Sequence, residues 1–101
     1  MLELQEIIKK NVIKHRKISR LTQKELAEKA GISTTYIGEI ESCRKYPSIK
    51  TLVKISKALE VEPYMLLIDP ELHKNDVIMR YNTQLRTEFD LMLEKLEVLH
   101  L

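Results

Sequence analysis

Apolar residues recur at helical spacing through most of the 101-residue chain, and residues that favour helix ends separate the apolar stretches. In the first stretch the apolar positions are Leu4, Ile7, Ile8 and Val12. The pattern predicts helices over residues 4–18, 23–30, 34–42 and 49–59, a short helix that opens at Pro63, and a last helix from about residue 76. Only two glycines and three prolines are present, which leaves few signals for β-turns. The predicted fold is all-α.

Hydroxyl side chains mark three of the predicted helix starts. Thr22 and Glu25 have the spacing of a capping box, in which the Thr22 hydroxyl accepts from the Glu25 N–H and the Glu25 carboxylate accepts from the Thr22 N–H. Ser33 and Ser48 precede the next two helices, where serine is a favoured N-cap residue. The sequence therefore fixes where these helices begin.

The second and third predicted helices are joined by a tight turn, which is helix-turn-helix spacing. Small Ala27 suits the point where the two helices approach most closely, and Gly31 permits a left-handed turn. Ile37 and Ile40 lie three residues apart and are predicted to anchor the third helix to the core. The residues left on or near the opposite face of that helix are Thr34, Thr35, Gly38 and Glu39.

Charge is distributed unevenly along the chain. Residues 1–67 contain 13 Lys and Arg against 8 Asp and Glu, whereas residues 68–101 contain 4 against 7. The first part, at +5, can face a polyanion such as nucleic acid, and the second part, at −3, is unsuited to one.

Several other classes of protein find no support. The single cysteine excludes an internal disulfide, and the three histidines share no metal-ligand spacing with one another or with the cysteine. We find no secretion signal and no apolar run of the ~20 residues that a membrane span needs, so we expect a cytosolic protein with no membrane association. No carboxylate pair, activated nucleophile or phosphate-binding glycine loop indicates an enzyme, and we predict no cofactor, metal or small-molecule ligand.

The stretch LTQKELAEKAGIS at residues 21–33, followed by Tyr36-Ile37 and Ile40-Glu41, resembles the Cro/C1-type repressors, also called the xenobiotic response element family. The similarity covers about residues 12–67. It implies a five-helix, lambda-repressor-like domain that binds operator DNA, usually as a homodimer. On this basis we expect a DNA-binding domain at residues 1–68, a C-terminal helical extension at 69–101, and a transcriptional regulator, most often a repressor.

The resemblance and the chemistry of the residues together indicate a DNA interface. Residues expected at base edges are Thr34, Thr35 and Glu39; residues expected at the DNA backbone are Gln23, Lys24, Tyr36, Arg44 and Lys45. The resemblance also implies that Arg16 pairs with Glu41 behind the third helix. Three questions stay open. Glu39 accepts from a cytosine amine, is a solvated surface residue, or has a partner in its own chain; Tyr36 packs or binds phosphate; and Gly38 allows a close approach to DNA or simply fits poorly.

The C-terminal segment carries an apolar stripe with alternating steps of four and three, formed by Ile78, Asn82, Leu85, Phe89, Met92, Leu96 and Leu99. Such a stripe favours a dimer seam in which the asparagine fixes the register. Alternatively, the helix folds back on its own domain, or the chain is an antitoxin or another protein-binding module that holds a protein partner through this helix.

Overall fold

The computed structural model describes residues 2–71 and 76–99, with side chains for 2–71 and 83–96. Its elements are α1 (Leu4–Ile18), α2 (Gln23–Ala30), α3 (Thr34–Glu41), α4 (Ile49–Leu59), a 3-10 helix (Pro63–Leu66) and α5 (Asp76–Leu99). No strand occurs among these residues, which confirms the predicted all-α fold. The chain divides into two compact units, Met1–Pro70 and Glu71–Leu101. Across the described ranges, no helix is both long and apolar enough to cross a membrane.

The fifth helix of the first unit is a single 3-10 turn rather than an α-helix. Pro63 opens this turn. The N–H of Met65 donates to the Glu62 carbonyl and that of Leu67 to the Tyr64 carbonyl, each at 3.0 Å, so the hydrogen bonds span three residues.

The hydroxyl caps predicted at the starts of α2, α3 and α4 are all present. Thr22 and Glu25 form both bonds of the capping box at 3.0 Å. Ser33 accepts from the N–H of Tyr36 at 3.1 Å, and Ser48 accepts from that of Thr51 at 3.1 Å. The first turns of these helices are thus fixed by bonds between residues three apart, which is why the sequence predicted them.

Each of the first four α-helices is followed within two residues by a residue with left-handed backbone, but only one of these residues is glycine. Gly31 follows α2 with φ +70°; the others are Arg20, Cys43 and Glu60, with φ of 58–59°. At each end an N–H donates to a carbonyl five residues earlier, at 2.8–3.0 Å. These bonds hold three non-glycine residues in a conformation that costs roughly 1–2 kcal/mol each.

The core of the first unit joins α1, α2, α3, α4 and the 3-10 helix. Its fully buried side chains include Val12, Leu26, Ile37, Ile40, Ile55 and Leu66. The apolar pattern groups Leu4 with the core-facing residues of α1, but Leu4 is the first residue of the helix and is 48% exposed. In α4 the apolar pattern predicts a buried side formed by Ile49, Leu52, Val53, Ser56 and Leu59. Leu52, Ser56 and Leu59 are buried, but the prediction omits Ile55, which is completely buried.

One buried polar side chain ties the two ends of the first unit together. Asn11 on α1 is almost fully buried, and its Nδ2 donates to the carbonyls of Leu66 at 3.1 Å and Ile68 at 2.8 Å. Since an unpaired buried amide is costly, these two bonds define where the 3-10 segment must lie against α1.

In the second unit the predicted stripe on α5 differs in exposure from residue to residue. Phe89 is buried within the single chain at 4% exposure, Leu85 and Leu96 are half-buried, and Met92 is 43% exposed. Beside the stripe, Leu91 is also exposed. The side chains of Ile78, Asn82 and Leu99 lie outside the described residues.

Candidate nucleic-acid interface

The α2–turn–α3 segment has the geometry that its sequence predicts. Ala27 is buried in α2, and Gly31 makes the left-handed turn between α2 and α3. Ile37 and Ile40 are buried in the core and hold α3 from its inner side. As a result α3 lies with one face fixed to the domain and the other directed outward.

A buried ion pair braces the end of α3. Arg16 on α1 donates from Nε to Glu41 Oε2 at 2.7 Å and from Nη2 to Oε1 at 2.9 Å. The exposed fractions of the two side chains are 15% for Arg16 and 5% for Glu41. The hydrogen bond to Glu41 raises the pKa of Arg16 above its ordinary value against an opposing effect of burial, so the guanidinium stays charged. This is the pair that the family resemblance implied.

Two further bonds extend this brace to the start of the helix-turn-helix. Arg16 Nη1 donates to the Leu21 carbonyl at 2.9 Å, and Gln23 Nε2 donates to Glu41 Oε1 at 3.1 Å. Gln23, expected at the DNA backbone, therefore also binds within the domain. The sequence carried no local signal for this bond, because Gln23 and Glu41 lie eighteen residues apart.

The outward tip of α3 carries the two threonines expected at base edges. Thr34 and Thr35 are both exposed, and no hydrogen bond engages either hydroxyl within the described residues. Ser33 caps the helix just before them. A threonine in this position can offer a hydroxyl to a base and a methyl group to thymine.

Glu39, the third residue expected at base edges, has an ionic partner in its own chain. Its Oε2 lies 3.3 Å from Lys45 Nζ, and the carboxylate side chain is 26% exposed. The pair offsets a negative charge that would otherwise repel phosphate from this surface. It also occupies Lys45, which the sequence had placed at the DNA backbone.

The loop after α3 presents a basic and aromatic surface. Arg44 and Lys45 are exposed, and Tyr46 is 56% exposed. Gln5 Nε2 on α1 donates to the Cys43 carbonyl at 2.9 Å, which secures the start of this loop. Lys24, the other cation expected to face phosphate, is exposed in the first turn of α2.

Tyr36 answers one of the questions that the sequence left open. The ring is half-buried and packs against the core of the first unit. Packing is therefore an established role of this residue, whereas a phosphate contact stays a prediction.

In the described ranges, no three His, Cys, Asp or Glu side chains come together as metal ligands would. The candidate interface presents hydroxyl, amide and cationic groups on and beside a braced helix. Such an arrangement defines a helix-turn-helix protein.

Comparison with known proteins gives the same class. Residues 13–66 match the Helix-turn-helix family, so the chain belongs to the Cro/C1-type helix-turn-helix regulators. It is similar to Control protein C.SmaI of Serratia marcescens, with 36% identity over 65% of this chain and 79% of that protein. It is also similar to the Immunity repressor protein of Bacillus phage phi105, with 38% identity over 60% of this chain and 42% of that protein.

A solved structure extends the similarity. One chain of the SinR protein/SinI protein complex superposes with a TM-score of 0.60 and 28% identity, over 89% of this chain and 94% of that chain. The family and these relatives establish a lambda-repressor-like fold and a DNA-binding transcriptional regulator.

Proposed function

We propose that this regulator is a sequence-specific, homodimeric repressor that reads the major groove with helix 34–42. The exposed tip of α3, on a helix anchored by buried isoleucines and the Arg16–Glu41 pair, is the observation that carries the proposal. A recognition helix must keep a fixed position to distinguish base edges, and this brace supplies the rigidity. We propose further that the protein acts by binding rather than catalysis and that it works in the cytoplasm.

Within this proposal, Thr34 and Thr35 contact base edges and Arg44 contacts phosphate. Selection of bound fragments from random duplex DNA, followed by footprinting, tests the proposal directly. We expect palindromic sites whose halves lie about 34 Å, one helical turn, apart. Binding to all duplexes with equal affinity would refute sequence-specific recognition.

Two substitutions separate base contact from phosphate contact. Thr35→Ala should relax the preference at one base position by about 1–3 kcal/mol, whereas Arg44→Ala should weaken binding to every duplex and reduce the salt slope by about one. Lys57→Ala, which removes an exposed charge from α4 outside the proposed interface, is the matched control. If Arg44→Ala and Lys57→Ala have the same salt slope, Arg44 does not contact phosphate.

For the homodimer, we propose that α5 supplies the contact through its exposed apolar residues, Leu91 and Met92. These two side chains add to the apolar surface that α5 exposes, and a partner that covered it would remove that surface from water. Met92→Asp should produce monomers in sedimentation experiments, and Thr87→Asp, a change at an exposed polar position of the same helix, should not. A dimer that survives Met92→Asp would exclude this surface.

A second candidate function is the binding of a different protein through the C-terminal helix. Similarity to a chain of the SinR protein/SinI protein complex supports it, because the superposition covers 89% of this chain and so reaches beyond the first unit. The purified chain distinguishes the two candidates. A monomer at micromolar concentration that still gives a footprint would favour the protein partner over the homodimer.

A further inference from the structure

Gly38 lies in the middle of α3, where glycine is unfavourable. Glycine lowers helix stability relative to alanine because it loses more backbone freedom on folding. The usual reason for glycine is absent here, since Gly31 is the only glycine in the chain with positive φ. Gly38 therefore needs another explanation.

Packing within the domain does not require the glycine either. A Cβ added at Gly38 would meet Gln23 Oε1 at 3.9 Å as its nearest neighbour, which is an ordinary van der Waals contact. The Gly38 carbonyl accepts from the Ser42 N–H at 3.0 Å and from Ser42 Oγ at 2.8 Å, and a methyl group would leave both bonds intact. The free protein has room for alanine.

The position of Gly38 indicates what the missing side chain would obstruct. Gly38 lies beside the side chain of Gln23, and Gln23 is in the first turn of α2. In the described residues, the backbone N–H groups of Gln23 and Lys24 have no acceptor. Free N–H groups at a helix start favour an anionic phosphate, so the surface next to Gly38 suits a sugar–phosphate strand.

We infer that Gly38 lets the backbone of α3 come into van der Waals contact with the sugar–phosphate strand that the start of α2 faces. The inference rests on the proposed function, in which α3 enters the major groove. Gly38 would be a positioning residue that sets the depth of α3, and a side chain there would hold the helix away from the DNA. Because a sugar–phosphate contact carries no base information, a side chain at Gly38 should weaken binding to every duplex rather than change the preference at a single base position.

Gly38→Ala tests this inference, since it should move stability and DNA affinity in opposite directions. We expect the melting temperature to rise by a few degrees, because alanine is the better helix residue. Affinity should fall for the selected site and for unrelated duplexes alike, roughly 5- to 150-fold at the selected site for one obstructed close contact. Glu60→Gly is the control: it should also raise stability, by relieving a left-handed residue after α4, without changing affinity.

The outcomes are separable. If the unaltered protein binds the selected duplex and Gly38→Ala binds it equally well or better, the inference is wrong and the proposed function stands. A loss confined to one base pair of the site would assign Gly38 to a base edge and overturn the sugar–phosphate contact. If the unaltered protein binds no duplex, the proposed function fails and this inference fails with it.

Discussion

The ion pair between Arg16 and Glu41 gives the sharpest test of how α3 is held. Glu41→Leu removes the carboxylate and leaves the Arg16 guanidinium with the Leu21 carbonyl as its described partner. It also removes the acceptor of the Gln23 amide. Arg16 would then lack a counter-charge and the Gln23 amide would lack an acceptor, both at a partly buried site.

The expected loss of stability is large. Breaking one side of a buried ion pair costs about 3–5 kcal/mol, and the partial exposure of Arg16 places this case near 3 kcal/mol. That is a large share of the about 5–15 kcal/mol that stabilises a typical domain. The double variant Arg16→Met with Glu41→Leu should recover most of the loss, since apolar residues replace both charges.

Urea denaturation followed by circular dichroism measures the free energy of unfolding of the four proteins in this double-mutant cycle. Repeating the measurement in 1 M NaCl adds a second criterion, because salt screens exposed pairs far more than buried ones. A cost below 1 kcal/mol for Glu41→Leu, or a cost that vanishes in high salt, would show that the pair behaves like a surface contact. The account of α3 as a braced helix would then be wrong.

Three further predictions concern the first unit. Asn11→Ala should lower the free energy of unfolding by about 2–4 kcal/mol in urea titrations, because one buried and one partly buried carbonyl lose their donor; a loss under 1 kcal/mol would mean that water replaces the amide. Burial, and then the charge of Lys14, lower the pKa of His15, so the folded chain binds a proton less readily than the unfolded one. The contribution of His15 to the free energy of unfolding should therefore be fully present above the ordinary histidine pKa of about 6.5 and should be lost as the pH falls below it. His15→Gln should reduce the pH dependence of the melting temperature in this range. An unchanged pH dependence would assign it to other groups. Cys43→Gly should raise stability by about 0.5–1 kcal/mol, since it relieves a left-handed residue, and a lower melting temperature would show that the cysteine side chain contributes more than this strain costs.

The sequence predicted the helix boundaries of the first unit because the signals for them are local. A capping bond joins residues three apart, as in Thr22 and Glu25, and a turn glycine acts at its own position. Local signals do not show which side of a helix packs against its neighbours, and this explains the error in α4. The apolar pattern placed Ile49 and Val53 on the buried side, but they are half-buried and Ile55 is fully buried. Which side of α4 is buried depends on the helices that pack against it.

The sequence alone therefore determined the all-α fold, the α2–turn–α3 segment and the exposed threonine tip, since periodicity, caps and a left-handed glycine act within a few residues. Apart from the Arg16–Glu41 pair, which the family resemblance implied, only the tertiary structure decided which polar groups meet across the chain. It paired Asn11 with carbonyls 55 and 57 residues away and Gln23 with Glu41, and it gave Glu39 to Lys45. These contacts depend on how the helices pack. The spacing of residues along the chain does not show which distant polar groups come within hydrogen-bonding distance.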